Sequence, residues 1–184
     1  MWLPATPMVL AALLVVSTAL GGESFIDNNG YRYAHYRAPV PAHHPDAAVL
    51  DAGQLEELIA ENDPVLLDVM PRVEPGHPHH LRGIPPNAPR VTLPASHWAP
   101  NVGYPALEPS LEEALRELLV ELTDGNTARP VVVFCMTNCW MAWNAARRIS
   151  RYGYESVYWY PGGADDWARQ GRETAVRPVA LGED

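Results

Sequence analysis

At residues 131–140 the chain carries the stretch VVVFCMTNCW, which contains both of its cysteines, Cys135 and Cys139. A run of apolar, mostly β-branched residues such as VVVF is typical of a strand buried on both faces of a parallel sheet. In open parallel sheets, binding and catalytic groups collect at the carboxyl ends of the strands. The stretch therefore predicts a buried strand that delivers two thiols to a functional loop.

The residues after this loop predict a helix. In the segment MAWNAARRISRYG, residues 141–153, apolar side chains recur at the spacing of one helical face and Gly153 supplies a stop. The unpaired N–H groups and the dipole at a helix N-terminus lower the pKa of a nearby cysteine. We therefore predict that Cys135 is a nucleophile. The backbone amides expected to stabilise its anion run from Met136 through Thr137 and Asn138 to Trp140.

The spacing of the two cysteines allows a disulfide. Residues four apart in a helix-like loop have Cα atoms about 6 Å apart, which suits the bond. Cys139 is thus predicted to resolve a persulfide or sulfenate on Cys135, giving a reversible dithiol/disulfide pair. So short a ring stabilises a fold little. A structural disulfide, the ordinary interpretation of two cysteines in an exported chain, is the alternative.

Trp140 and Trp143 lie three residues apart on the predicted helix. Large aromatic residues are usually buried, so we expect at least one of them in the core. A haem-attachment motif is excluded because Trp140, and not histidine, follows Cys139.

The N-terminus predicts export. Residues 8–20, MVLAALLVVSTAL, are apolar and uncharged and lead into small residues, as in a secretory signal peptide. A spanning helix needs about 20 such residues. We therefore expect residues 1–22 to be removed, leaving a periplasmic protein without stable membrane insertion. Because no Lys or Arg precedes the run, an uncleaved anchor is the alternative.

The charge composition excludes several classes of function. The net charge is −9, which argues against binding to the phosphates of nucleic acid. All 13 basic residues are arginine, so the chain has no lysine for a Schiff base or a P-loop.

Strand and helix patterns alternate along the rest of the chain. Asp51 with Gln54, and Ser110 with Glu113, form capping boxes that open two helices. Strand-like runs lie at residues 48–50, 65–69, 95–98, 131–134 and 156–160, and a short helix at residues 164–171. This alternation predicts an α/β sandwich around a mostly parallel sheet.

The flanking segments carry weaker patterns. Residues 23–47, rich in Tyr, Pro and His, predict an extended arm that either packs along the domain as an edge segment or is an exposed linker. The domain itself is expected over residues 48–171. Residues 172–184 form a tail without a strong pattern.

Asp68 interrupts the apolar run VLLDV. A carboxylate in such a run must be hydrogen-bonded or must lie at the mouth of the strand. We expect it to face neighbouring loop amides and to brace the mouth of the site.

The Pro-rich residues 71–94 predict a long irregular loop. Its histidines, His77, His79 and His80, have no cysteine or carboxylate at ligand spacing, so no metal site is predicted. His97 is interpreted as a packed or surface residue and not as a base.

Four segments carry a resemblance to a known family. They are CWMAWNAARR at residues 139–148, VYWYPGGADDW at 157–167, APNVGYPAL at 99–107 and HYRAPVP at 35–41. From residue 48 to residue 171 the chain resembles a rhodanese-like domain. The four segments are similar to the exported rhodanese-like proteins associated with pyrroloquinoline quinone (PQQ)-dependent alcohol catabolism, a family named for a CXXCW motif. The resemblance implies a three-layer sandwich with a five-stranded parallel sheet, helices on both faces, and Cys135 where rhodaneses form a persulfide.

The loop departs from the patterns of related enzymes. Sulfurtransferases commonly carry Arg or Lys five residues after the nucleophile, where this chain has Trp140, and related phosphatases need Arg at the next position, which is Met141. A loop without its own guanidinium binds oxyanions poorly. Phosphatase chemistry is therefore excluded and thiosulfate chemistry is disfavoured. Three residues separate the cysteines, whereas the family name implies two.

The resemblance implies thiol redox or sulfur-transfer chemistry at Cys135 and Cys139 in support of PQQ-dependent alcohol catabolism. It suggests a small sulfur donor or thiol as substrate and a PQQ-dependent alcohol dehydrogenase or its cytochrome as partner. The alternative is a noncatalytic binding module for such a dehydrogenase or cytochrome, with an inert disulfide. No bound cofactor is predicted in this chain.

Overall fold

A computed structural model describes residues 25–72, 90–177 and 181 of the chain. Its strands are β1 Ala48–Val49, β2 Val65–Asp68, β3 Arg90–Thr92, β4 His97–Trp98, β5 Val131–Phe134, β6 Val157–Tyr160 and β7 Ala175–Arg177. Its helices are α1 Ala52–Asn62, α2 Pro109–Thr123, α3 Trp140–Arg151 and α4 Gly163–Arg169. Strands and helices alternate as the sequence predicts, except that no described helix separates β2, β3 and β4.

Five strands form one parallel sheet in the order β1-β6-β5-β2-β4. The central strand β5 is buried along its whole length, as its apolar run predicts. Its register with β2 pairs Asp68 with Phe134, so the carboxyl ends of the two strands lie side by side. The site residues that follow β2 and β5 therefore meet at one edge of the sheet.

Helices cover both faces of the sheet. Because side chains alternate along a strand, Val131 and Val133 pack on one face with residues of α2 and α3. Val132 and Phe134 pack on the other face with residues of α1 and α4. The predicted α/β three-layer sandwich with a five-stranded sheet is confirmed.

One of the two predicted capping boxes is correct. Gln54 N donates to Asp51 Oδ1 and Asp51 N donates to Gln54 Oε1, each at 2.9 Å, at the start of α1. The box predicted at Ser110 is wrong, because α2 begins earlier, at Pro109, with Glu108 as N-cap. Proline at the first helical position has its φ already set for a helix, so it starts α2 without a side-chain cap.

A second sheet has two strands. Both of them lie in segments that the sequence predicts to be irregular, so that prediction is wrong for these residues. Strand β3 lies within the expected loop 71–94, and β7 lies within the patternless tail. They pair antiparallel, with Val91 opposite Val176. Each strand has three residues and its partner is remote in sequence, so neither segment shows a local pattern.

The described part of the arm packs on the domain and is not an exposed linker. Tyr31 and Tyr36 are buried. Arg32 N donates to Asn144 Oδ1, and Asn144 Nδ2 donates to Arg32 O, each at 2.8 Å. These two bonds fasten the arm to α3.

Among the described residues, no helix is both long enough and apolar enough to cross a bilayer. The predicted signal peptide and the histidines His77, His79 and His80 lie outside the described residues.

Gly163, at the start of α4, allows a close approach of two backbones. Its φ is +66°, and a Cβ there would overlap the backbone of Met136 in the cysteine loop. Gly171 has a similar φ of +75° with open space around it. We predict that Gly171→Ala costs about 1–2 kcal/mol of unfolding free energy because of its left-handed backbone. Gly163→Ala should cost about 1–3 kcal/mol more because the overlap forces the backbones apart.

Urea unfolding followed by tryptophan fluorescence measures both variants. Equal losses for Gly163→Ala and Gly171→Ala would show that the contact with the cysteine loop is not tight.

Candidate functional site

The two cysteines form a disulfide in the loop between β5 and α3. Cys135 follows the last residue of β5, Cys139 is the N-cap of α3, and their Cα atoms lie 6.3 Å apart. The exposed fraction is 0% for Cys135 and 2% for Cys139. An external reagent can therefore reach neither sulfur in this conformation.

Cys135 lies deeper than Cys139. Its Sγ is 3.5 Å from Sδ of Met70, a buried residue that follows β2. Its backbone carbonyl accepts bonds from Arg90 Nη2 at 2.8 Å and from Ala164 N at 3.1 Å. The position of Cys135 is thus set by β2, β3 and α4 together.

Asp68 holds this edge of the sheet together. Its carboxylate accepts hydrogen bonds from Met70 N at 3.0 Å, from Arg90 Nε at 2.7 Å and from Thr92 Oγ1 at 2.6 Å. Its side chain is fully buried, and this burial raises its pKa, while Arg90 and the hydrogen bonds act in the opposite direction. Since Arg90 also binds the carbonyl of Cys135, Asp68 braces the cysteine loop through that side chain.

The loop amides do not all face the sulfur atoms. Thr137 N donates to Asp165 Oδ1 at 2.7 Å, and Trp140 N donates to Tyr36 O at 2.9 Å. The prediction that every amide from Met136 to Trp140 stabilises a sulfur anion is therefore wrong for these two. Their acceptors come from distant segments, which local reasoning about the loop does not include.

The other loop residues are tied to neighbouring segments. Met136 forms an isolated antiparallel β-bridge with Gly163, and Thr137 Oγ1 donates to Gly162 O at 2.8 Å. Asn138 has a left-handed φ of 58°, a conformation that asparagine tolerates better than most residues.

The arm lies directly over the cysteine loop. Ala38 N donates to Asn138 O at 3.2 Å and Tyr36 O accepts from Trp140 N, so Arg37 lies opposite Cys139 in an antiparallel bridge. This segment covers the disulfide on the side of Cys139.

Guanidinium groups reach the loop from other parts of the chain. Arg37 contacts Met136 Sδ through Nη1, Arg32 lies 4.7 Å above the ring of Trp140, and Arg90 binds Cys135 O. As predicted, the loop itself contains no arginine. The prediction that no guanidinium is fixed at the loop is wrong, because arginines from other segments contact it. The segment HYRAPVP already contains Arg37, yet nothing in its pattern indicates where it packs.

Both tryptophans after the disulfide are core residues. Trp140 and Trp143 are buried, with ring centroids 5.3 Å apart. Trp140 Nε1 donates to Pro39 O at 3.2 Å, a further contact between arm and loop. The expectation that at least one of them packs in the core is confirmed.

His44 fastens the end of the arm. Its Nδ1 accepts from Asp46 N at 3.0 Å, so in the neutral ring Nε2 carries the proton and donates to Trp143 O at 2.9 Å. Burial lowers the pKa of His44; the carbonyl of Trp143 and the charge of Asp46 act to raise it, and Arg147 acts to lower it.

His97 is partly buried in β4, as expected for a packed or surface residue. The ranges 25–72 and 90–177 contain no group of three or more His, Cys, Asp or Glu residues that could hold a metal ion.

A family model described as the rhodanese-like domain matches residues 51–170. The chain is similar to the solution structure of a 30 kDa polysulfide-sulfur transferase homodimer from Wolinella succinogenes, with 22% identity over 76% of this chain and 85% of that chain, and a TM-score of 0.45.

A second similar structure is an uncharacterized protein from Saccharomyces cerevisiae solved at atomic resolution. It has 20% identity over 68% of this chain and 94% of that chain, with a TM-score of 0.42. No curated protein matches the chain.

The ion pair of Asp68 and Arg90 predicts a large effect on stability. Asp68→Asn leaves the guanidinium without its counter-charge in a mostly buried position, so we expect a loss of about 2–4 kcal/mol in unfolding free energy. The control is Glu56→Gln, whose carboxylate is 62% exposed in its pair with Arg172, and which should cost less than about 1 kcal/mol. Urea unfolding measures both, and a loss below about 1 kcal/mol for Asp68→Asn would contradict the bracing role.

Because the pKa of His44 is lowered, we predict that the stability of the packed arm depends on pH. The unfolded ring titrates near its ordinary value of 6.5 and the packed ring lower, so the packed arm is fully stabilised above about pH 6.5 and loses stability as the pH falls. We expect hydrogen-exchange protection factors of the arm amides to decrease between about pH 7.5 and pH 5.5.

His44→Gln should remove most of this pH dependence because the amide does not titrate. His43→Gln is the matched control, since His43 is exposed, and it should behave as the wild type does. An unchanged pH dependence in His44→Gln would assign the effect to another group.

Proposed function

Because this chain belongs to the rhodanese-like domain family, we propose that it carries out thiol redox chemistry at Cys135 and Cys139. The observation that carries the proposal is the disulfide between these residues at the carboxyl end of the central strand. In the proposed reaction, a dithiol donor attacks the disulfide, forms a mixed disulfide and then closes its own ring. The donor is oxidised by two electrons, and Cys135 and Cys139 become thiols.

The position of the bond supports exchange over a purely structural role. The two cysteines are four residues apart, so the ring is short and constrains the unfolded chain little. Once reduced, Cys139 lies at the N-cap of α3, where the helix dipole favours the thiolate. A cysteine pair in this position is better suited to reversible disulfide exchange than to stabilising the fold.

Sulfur transfer is a second chemistry for the same pair, and family membership favours it. In this version Cys135 carries the persulfide, and Cys139 attacks its inner sulfur. The product is the observed disulfide, and hydrosulfide leaves. No external oxidant is needed, because the persulfide sulfur takes the two electrons. A small sulfur donor would supply the persulfide.

We place this chemistry in the periplasm, in support of PQQ-dependent alcohol catabolism. The support is the resemblance of the segments around Cys139, Arg37 and Gly163 to the exported family, together with the apolar residues 8–20. A PQQ-dependent alcohol dehydrogenase or its cytochrome is the proposed partner, and the chain itself is proposed to bind no cofactor.

A noncatalytic role is the second candidate, favoured by the burial of both cysteines. In that role the disulfide is inert and the protein is a binding module for the dehydrogenase or the cytochrome.

A redox titration separates the two roles. We expect Cys135 and Cys139 to equilibrate with a thiol/disulfide buffer at a potential between about −270 and −120 mV, the range of exchange proteins. Mass spectrometry after polysulfide treatment of the reduced protein should find an added sulfur on Cys135 in the Cys139→Ser variant, which lacks the resolving thiol.

Cys135→Ser, treated in the same way, is the matched control for that sulfur adduct. A potential below about −300 mV, the range of structural disulfides, together with no adduct, would overturn the proposal in favour of the inert module.

A further inference from the structure

The arm contacts the cysteine loop as an extended polypeptide would. Its N–H at Ala38 and its carbonyl at Tyr36 pair with the carbonyl of Asn138 and the N–H of Trp140. The carbonyl of Pro39 accepts a third bond, from the indole of Trp140. A loop that offers alternating backbone acceptors and donors favours an extended peptide over a small thiol that has no peptide groups.

The register of this pairing places one arm residue against one sulfur. Arg37 lies opposite Cys139, and the bonds on either side of it join their neighbours. They are thus a non-hydrogen-bonded antiparallel pair, whose Cα atoms are about 4.5 Å apart, with side chains on the same face. This distance lies within the disulfide range of about 4.4–6.8 Å.

The two sulfur atoms differ in what surrounds them. Cys135 is enclosed by Met70 and by the groups that bind its carbonyl, all of which belong to the folded domain. Cys139 is covered by the arm. Displacement of the arm would therefore remove contacts from Cys139 and none of the contacts of Cys135 with Met70, Arg90 and Ala164.

We infer that the substrate is a cysteine on an extended segment of a partner protein, which replaces the arm, pairs with residues 138–140 and attacks Cys139. This inference rests on the proposed thiol chemistry and names its substrate class. In the free protein, the arm occupies the position that the partner segment takes in the complex. Cys139 is then the exchanging sulfur and Cys135 the leaving and resolving one, the reverse of the roles predicted from sequence.

The step is balanced without an added oxidant. The partner's thiolate forms a bond to Sγ of Cys139 while the bond between Cys139 and Cys135 breaks. Cys135 leaves with the electron pair and takes a proton from water. Attack by Cys135 on the mixed disulfide reverses the step, and attack by a second thiol of the partner completes reduction of the pair.

A cysteine placed in the arm tests the register within the full chain. In Arg37→Cys the introduced thiol lies opposite Cys139, so in a glutathione buffer we expect complete replacement of the native disulfide. Peptide mapping by mass spectrometry should find residue 37 linked to Cys139, and Cys135, which stays buried in the folded chain, should be alkylated by a maleimide after denaturation. Arg37 is exposed, so the substitution removes its contact with Met136 Sδ but no buried side chain.

Ala38→Cys is the matched control, because neighbouring residues of an extended chain point to opposite faces. It should keep the native disulfide and leave the new thiol free. The inference is overturned if the thiol at residue 37 stays free, if it links to Cys135, or if Ala38→Cys crosslinks to Cys139 equally well.

A peptide test on the wild-type chain decides the question if Arg37→Cys does not fold. The probe is a synthetic peptide of residues 34–41 with cysteine in place of Arg37, and its control carries cysteine in place of Ala38. We expect the first to form a mixed disulfide with Cys139 about tenfold faster than the second, and much faster than 2-mercaptoethanol, which has no peptide groups, because only it is aligned for attack. Equal rates for the three thiols would overturn the inference.

These outcomes are distinct from failure of the proposed function. A crosslink at residue 37 exchanges one disulfide for another, so it forms even if the potential of the native pair is too low for cellular reduction. A normal potential without selectivity between the two peptides would instead support a small-thiol substrate at a working site.

Discussion

The rest of the site depends on the interactions that pair the buried carboxylate of Asp68 with Arg90 and Thr92. A charge inside a parallel sheet is very costly unless it is paired and hydrogen-bonded. Asp68 is tolerated because Arg90 and Thr92 reach it from β3. Strand β3 is held in turn by its pairing with β7. Since Arg90 also binds the carbonyl of Cys135, the need to satisfy one carboxylate fixes the inner side of the cysteine loop.

The outer side of the loop is held by the arm, through backbone bonds and not through charge. Tyr36 and Ala38 satisfy the backbone of Asn138 and Trp140, and Asn144 secures the arm further along α3. The disulfide therefore lies between a rigid inner support and a peptide segment held by a limited number of bonds. This difference fits the inference that a partner segment displaces the arm, because the outer cover of the disulfide is not part of the central sheet.

Sequence reasoning succeeded where a pattern is local. The buried strand β5 and the helix α3 follow from apolar runs, and the box of Asp51 and Gln54 follows from a spacing of three residues. It failed where a partner is remote. The pairing of β3 with β7 has no local signal. The amide of Thr137 donates to Asp165 of α4, a helix that the sequence predicts, but no local pattern indicates that this helix meets the cysteine loop. The arm arginines belong to the same class, because a side chain that crosses from one segment to another leaves no periodicity.

By itself, the sequence determined the alternation of strands and helices, the five-stranded α/β sandwich, and the placement of two thiols after its central strand. Periodicity and the capping box at α1 are properties of neighbouring residues, so they can be derived without a structure. Only the tertiary structure decided what surrounds the two sulfur atoms. Their burial, the bracing of Cys135 by Asp68 through Arg90, and the alignment of Arg37 with Cys139 all depend on segments that meet only when the chain is packed. Long-range packing is set by the sum of many contacts, and no short pattern encodes it.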